Sequence, residues 1–188
     1  MTYTKKGFTL LELLIVIAIL AILATVVVLV LNPAEYLKQA RDTQRMNDLD
    51  AVKSALNLYI ANSTSSAPLS VSGACYGAGN GRVTAAPTVN PFTAPTTAAA
   101  ASINQTVAGS GWIPVNFSAM VGGSPLGKLP VDPANPNDGG HLYAFSCDSG
   151  ATQFKLSTAL ESSKYQGLMT TDGGTSNSYY EVGTNMGL

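Results

Sequence analysis

Few side chains in this sequence could do chemistry, and they are scattered. Glu12 is the one ionisable residue in the apolar run Phe8–Leu31, which follows Lys5, Lys6 and Gly7. A carboxylate inside such a run costs about 2.5–3.5 kcal/mol at the centre of a membrane-spanning helix and less near its end. Glu12 therefore calls for a partner. Cys75, Cys147 and His141 are the only cysteines and the only histidine. Two thiols and one distant imidazole make poor zinc spacing, so no metal site is expected from them. His141 follows Gly139-Gly140 and reads as an edge-strand residue, and no G-x-S-x-G elbow supports a Ser/His/Asp triad. Asp132, Asp138, Asp148 and Asp172 all sit beside turn formers, where aspartate bonds its own backbone. No EF-hand spacing gathers them.

The elements that would position these residues follow from hydropathy. At a rise of about 1.5 Å per residue, a helix over Phe8–Leu31 is about 36 Å long, enough to cross a hydrocarbon core of about 30 Å with some tilt. Pro33 either opens a new helix, with Asn32 as its cap, or kinks a continuous one. From Ala34 to about Ala61 the pattern is helical: Leu49, Val52, Leu56 and Tyr59 step by three and four, and Ala55 and Ile60 widen the stripe. Glu35, Lys38, Arg41, Asp42, Arg45, Asp48 and Lys53 fall mostly off that stripe, where pairs at three or four residues contribute tenths of a kcal/mol each. The expectation is one helix of about 50 residues, apolar all round in its first half and amphipathic in its second.

Asn62-Ser63-Thr64-Ser65-Ser66 ends the helix. Residues 63–140 read as a connecting region. Within it, Gly77-Ala78-Gly79-Asn80-Gly81 marks tight turns; it is no dinucleotide fingerprint, because Arg82 stands where the third glycine would be. Residues 84–101 are Ala/Thr/Pro-rich low complexity. Trp112-Ile113-Pro114 restarts order, a short helix is expected around Asn116–Val121, and Leu129–Pro136 reads as an extended, proline-fixed connection. Residues 141–188 carry the strands: His141–Cys147, then the turn Asp148-Ser149-Gly150, then Thr152–Leu160, with Phe154, Leu156 and Thr158 on one face and Gln153, Lys155 and Ser157 on the other. A last short strand is expected at Tyr179–Val182. A long helix followed by an antiparallel meander is an α+β fold.

Composition narrows the function classes. Removing the segment before Phe8 and the apolar run leaves roughly 155 residues, enough for one domain. Charged residues make up 11% and the net charge is −1, so no basic patch argues for nucleic acid. Lys5 and Lys6 place the amino end in the cytoplasm and the rest of the chain outside. In that compartment Cys75 and Cys147 are expected to bond to each other, with two buried free thiols as the alternative. The bridge would close a loop of about 70 residues and favour the folded state by about 4 kcal/mol in the chain-entropy model.

Three readings of the amino-terminal stretch compete. A secretory signal peptide fails on the length of the run and on the lack of an A-x-A site at its end. An ordinary signal anchor, tethering an extracytoplasmic enzyme or binding protein, leaves Glu12 without a reason. Lys6-Gly7-Phe8-Thr9-Leu10-Leu11-Glu12-Leu13-Leu14-Ile15-Val16-Ile17, however, resembles the signal of type IV prepilins and type II secretion pseudopilins. Leu129-Pro130-Val131-Asp132-Pro133 and Tyr180-Glu181-Val182-Gly183 are similar to segments of pseudopilin-like proteins.

The resemblance implies a residue 1–7 leader, cleavage after Gly7, N-methylation of Phe8 and a role for Glu12 in filament assembly, through a salt bridge to the Phe8 amine of a neighbouring subunit. It implies a pilin-like fold, the amphipathic half-helix packing on a small antiparallel sheet. It also implies a structural subunit and no enzyme: partners are like subunits in a helical filament, a prepilin peptidase/methyltransferase, an inner-membrane platform protein and an assembly ATPase. The chain would sit in the cytoplasmic membrane before assembly and in an extracytoplasmic filament after it. No cofactor is expected; calcium, found in some major pseudopilins, stays open as an alternative for the aspartates. Two departures stand out. Pro33 falls further along than in many pilins, and the cysteines are not both near the carboxyl end.

Overall fold

The computed structural model describes residues 7–65, 68–69, 76–79, 104–134, 142–148 and 150–188, and only the backbone of 29–31 and 76–79. The chain divides into two compact units, Met1–Leu37 and Lys38–Leu188.

In the first unit, α1 runs over Leu10–Leu31. Every side chain described in it is exposed. Its sole hydroxyl, Thr25 Oγ1, donates to the Ile22 carbonyl at 2.7 Å, so this polar atom is satisfied within the helix. Asn32 ends α1 with φ 39° and ψ 72°, a left-handed conformation that asparagine tolerates better than most residues. Pro33 is the cause. Its ring disfavours helical geometry at the preceding residue, and its nitrogen has no hydrogen to extend the helix. A second helix, α2 (Pro33–Asn62), starts there, with proline in the first turn, where the missing donor costs nothing. The expectation of one unbroken helix is thus corrected to two, and the alternative of a restart at Pro33 holds.

In the second unit, α2 buries Leu49, Val52, Ala55 and Leu56, with Tyr59 and Ile60 packed against the same core. This is the expected stripe. It extends further toward the amino end than expected, however, because Asp42 and Arg45 are fully buried too. The sheet has four antiparallel strands in the order β1 (Tyr76–Gly79), β2 (Tyr143–Cys147), β3 (Phe154–Thr158) and β4 (Tyr180–Gly183). Phe145 pairs with Leu156, and Leu156 with Val182. These three lie on one face and join the core of Leu49, Leu56, Trp112, Ile113 and Phe117. A short 3-10 turn at Phe117–Ala119 stands where a short helix was expected.

Two further expectations change. Gly77-Ala78-Gly79, read with Asn80-Gly81 as tight turns, lies in β1, because the register against β2, Tyr76 opposite Ser146 through Gly79 opposite Tyr143, supplies the ladder that a Gly-Ala-Gly sequence does not itself favour. The region read as a connection therefore contributes both a strand and much of the core. The second face of β3 is also no open surface. Lys155, Ser157 and Glu181 are all buried there. Lys155 Nζ bridges to Glu181 at 2.9 Å, donates to Thr175 Oγ1 at 3.0 Å and meets the Leu188 carbonyl. Gly183 sits at this close approach; a Cβ there would collide with the Phe154 carbonyl.

Candidate processing and assembly site

Gly7, Phe8 and Thr9 precede α1 without helical structure, and all three are exposed. A Cβ built on Gly7 meets nothing within 4 Å. Packing against the described residues therefore does not demand glycine at this position. Phe8, 89% exposed, is equally uncommitted.

Thr9 fixes where the helix starts. Its backbone is extended at φ −76° and ψ 151°. Its hydroxyl oxygen accepts from the Glu12 backbone N–H at 3.2 Å. The Glu12 carboxylate reaches back, and Oε2 accepts from the Thr9 backbone N–H at 2.9 Å and from the Thr9 hydroxyl at 2.8 Å. This reciprocal capping box satisfies donors that the first turn would otherwise leave orphaned. Sequence reasoning singled out Glu12 and missed Thr9, although the Thr9-x-x-Glu12 spacing is the signature of such a box. From Leu10 to Val28 the helix is long and apolar enough to cross a membrane by length and composition, and none of that stretch is buried. The site thus comprises an exposed Gly7–Phe8 peptide bond, a capped helix start and an uncovered apolar surface, and Lys5 and Lys6 lie outside the described residues.

The other candidates separate from this site. Cys147, on β2, is disulfide-bonded; Cys75 lies outside the described residues, as do Asp138 and His141. Asp148 caps its own turn, accepting from Thr152 and Gln153 N–H at 2.8 Å each. Asp172 accepts from Gly174 N–H at 2.8 Å and Glu181 N–H at 2.7 Å. Asp132 does more than the expected turn chemistry. Besides accepting from Ala134 N–H at 2.8 Å, it receives a bidentate pair from Arg45 at 2.7 and 2.9 Å. Among the described residues no group of three His, Cys, Asp or Glu side chains could hold a metal ion.

Arg45 is the centre of an ion network that sequence reasoning placed on a solvated face. Its Nη1 donates to Asp42 at 2.8 Å and to Glu161 at 2.7 Å, and Arg41 adds a second bidentate pair to Glu161 at 2.6 and 2.7 Å. Burial works against the Arg45 charge, but the Asp132, Glu161 and Asp42 hydrogen bonds outweigh it and raise its pKa further. Arg41 first, and Arg45 with it, hold the Glu161 carboxyl down to about 2 against the effect of burial. Every member of this network is matched by another, so it ties α2 to the Asp132 and Glu161 loops and offers no open catalytic group. The signal for it was present: 42, 45, 49, 52 and 56 continue one three-and-four spacing.

The family described as the prokaryotic N-terminal methylation motif matches residues 3–28. That is the stretch holding Gly7, Phe8, the capping box and the apolar helix, and the match supports the resemblance to type IV prepilins and pseudopilins. The motif implies a substrate of the prepilin peptidase kind. No curated protein and no solved structure matches the chain.

Proposed function

We propose that this chain is the precursor of a type IV filament subunit, either a pilin or a pseudopilin of a type II secretion machine. One observation carries the reading: within the matched motif, the Gly7–Phe8 bond is exposed outside the helix, at the head of an apolar helix whose described side chains are all exposed. With Lys5 and Lys6 on the cytoplasmic side, a membrane-embedded peptidase hydrolyses Gly7–Phe8 there, releasing the leader and a free Phe8 amine, which is then methylated. The subunit is held in the membrane by α1 until assembly. Glu12 then pairs with the Phe8 amine of a neighbouring copy as α1 exchanges lipid for a bundle of like helices. An inner-membrane platform protein and an assembly ATPase drive that step, and the Lys38–Leu188 unit tiles the outside of the filament. In the extracytoplasmic compartment Cys147 bonds Cys75, tying β2 to the segment just before β1.

Intact mass of the mature protein tests the first step. A chain starting at Phe8 with one added methyl group is expected, and a chain starting at Met1 or beyond Ala24 overturns the reading. Electron microscopy of sheared surface material should show filaments carrying the chain. Non-reducing peptide mapping should yield one Cys75–Cys147 pair, whereas alkylation of both thiols in unreduced protein would disprove it.

A further inference from the structure

We propose that Asn62 is a glycan attachment site and that the first sugar of that glycan lies in the groove beside it. Three Asn-x-Ser/Thr triplets occur in the sequence, Asn62-Ser63-Thr64, Asn104-Gln105-Thr106 and Asn116-Phe117-Ser118. This is the acceptor pattern for an asparagine-linked glycan in an extracytoplasmic protein. A transferase acting on the folded chain has to draw the triplet into its own site, so the surroundings decide which one can serve. Phe117 is wholly buried in the core, and its N–H donates to the Val107 carbonyl at 2.8 Å, so the third triplet is held in place. In the second, Asn104 Nδ2 donates to the Ser110 carbonyl at 3.0 Å, Asn104 Oδ1 accepts from Thr106 N–H at 3.1 Å, and the side-chain amide and carbonyl of Gln105 both bond Leu129. The first triplet starts at the last residue of α2 and runs out of the helix, with Asn62 and Thr64 exposed and Ser63 half-buried. Asn62 Nδ2 donates to the Leu58 carbonyl at 3.1 Å. It carries two hydrogens, so a sugar can replace one while the other keeps that bond.

The groove is an independent observation. It is lined by Tyr59, Asn62, Ser63 and Thr64 from the end of α2 and the residues after it, and by Met120 and Val121 from just beyond the Phe117–Ala119 turn. Its volume of about 190 Å³ is below the roughly 300–1,000 Å³ of drug-sized sites and suits a single ring. The lining combines apolar surface, the Tyr59 ring and Val121 at 91% exposed, with amide and hydroxyl groups. A pyranose divides in the same way, into C–H faces and a rim of hydroxyls. The transfer is a substitution. Asn62 Nδ2 displaces pyrophosphate from C1 of a lipid-linked oligosaccharide: the C1–N bond forms, the C1–O bond breaks, the lipid pyrophosphate leaves with the electron pair, and the amide gives up one proton. No oxidant or reductant takes part. The proposal needs only the extracytoplasmic placement of the Lys38–Leu188 unit in the reading above. A glycan there would help to keep in solution a chain with 11% charged residues and a net charge of −1.

The test is tandem mass spectrometry on peptides of the full protein, purified in detergent from the organism that makes it. The peptide holding Asn62 should carry added sugar mass and release sugar fragment ions, and the peptides holding Asn104 and Asn116 should have their sequence masses. Asn62→Gln and Thr64→Ala, each expressed in the same organism, should lose the sugar, and Thr64→Ser should keep it. Unmodified Asn62 in a chain that starts at Phe8 overturns the proposal and leaves the filament reading standing. Sugar on Asn62 of a chain that starts at Met1 upholds the proposal and removes the filament reading. Sugar on Asn104 or Asn116 in place of Asn62 overturns the proposal as well. Hydrogen exchange tests the groove. Met120 N–H donates to the Phe117 carbonyl at 3.2 Å and Gly123 N–H to the Met120 carbonyl at 2.9 Å, and both should exchange several-fold more slowly in the parent than in Asn62→Gln. Equal rates in the two proteins overturn the seating of the sugar in the groove.

Discussion

The two helices use charge in opposite ways. In α1 every described side chain is exposed, the surface is apolar on all sides, and the single carboxylate is held by its neighbour Thr9. In α2 the stripe from Asp42 to Leu56 is buried, and Arg45 within it is clasped by Asp42, Asp132 and Glu161. An apolar helix whose side chains are exposed on every side has to be stabilised by lipid or by other helices. An amphipathic helix with a matched buried charge is stabilised by its own domain. The buried stripe of α2 therefore serves the fold of its own unit, whereas the fold of that unit makes no such demand on the described residues of α1.

Substitutions should break along this line. Glu12→Val should leave the thermal midpoint of the detergent-solubilised protein within about 2 °C of the parent, since Glu12 bonds only Thr9. Membrane insertion should become easier and cleavage should continue, because Gly7 is untouched. Filaments should be scarce, since the Phe8 amine of the neighbour loses its counter-charge in a low-dielectric bundle. A normal ratio of sheared to membrane-bound protein would put Glu12 back among boundary residues. Arg45→Ala should do the reverse. It leaves the buried Asp42 and Asp132 without their guanidinium, while Glu161 keeps Arg41, which costs about 3–5 kcal/mol and lowers the midpoint by about 10 °C or more, while leader removal proceeds as before. If that variant melts with the parent, the network is not what fixes α2 to its domain.

A smaller effect should separate the units by pH. The Glu161 carboxyl drops from 4.5 to about 2 in the folded protein. A depressed value contributes stability that is complete above about 4.5 and disappears as pH falls through about 2. Asp48, raised by burial in spite of its Tyr143 hydrogen bond, takes up a proton in the opposite sense and offsets part of the loss. Thermal midpoints measured from pH 6 down to 2.5 should fall, and Glu161→Gln should start lower and fall less steeply. Equal slopes for the two proteins would show that Glu161 does not set the acid response.

How much of this was legible in the sequence depended on whether the cause was local. Leu49, Val52, Leu56 and the strands around Phe145, Leu156 and Val182 repeat with the period of their element, so their faces could be read directly. Asp42 and Arg45 keep the same period but carry charges, and charges on a helix are ordinarily solvated. Only the distant Asp132 and Glu161 make their burial tolerable. Tyr76–Gly79 has the composition of a turn and becomes a strand through pairing with β2. Lys155 alternates as an outward residue would, and its cover comes from Thr175, Glu181 and Leu188, far along the chain. At the amino end the Gly7, Phe8 and Glu12 pattern was plain because it is linear sequence and needs no distant residue to complete it. Thr9 belongs to the same local pattern, through the Thr9-x-x-Glu12 capping spacing.

The smallest effect expected is that of calcium. Four aspartates beside turns suggested it, and the described three are already occupied. Asp132 is saturated by Arg45 and Ala134, and the two carboxylates Asp148 and Asp172 each accept from backbone N–H groups of their own turns or of β4. Calcium takes six to eight oxygens from a shared cavity, and to enter any of these turns it would have to displace donors that hold the fold. A ligand raises stability only through binding to the folded state: at a hundred times its dissociation constant the gain is about 2.7 kcal/mol, which in a chain of this size moves the midpoint by about 5–10 °C. Millimolar calcium added to the mature protein in detergent should therefore move the midpoint by less than about 2 °C, and magnesium at the same concentration by the same amount, since only screening of surface charge remains. A calcium-specific rise of about 5 °C or more would show that carboxylates of the Lys38–Leu188 unit gather around an ion.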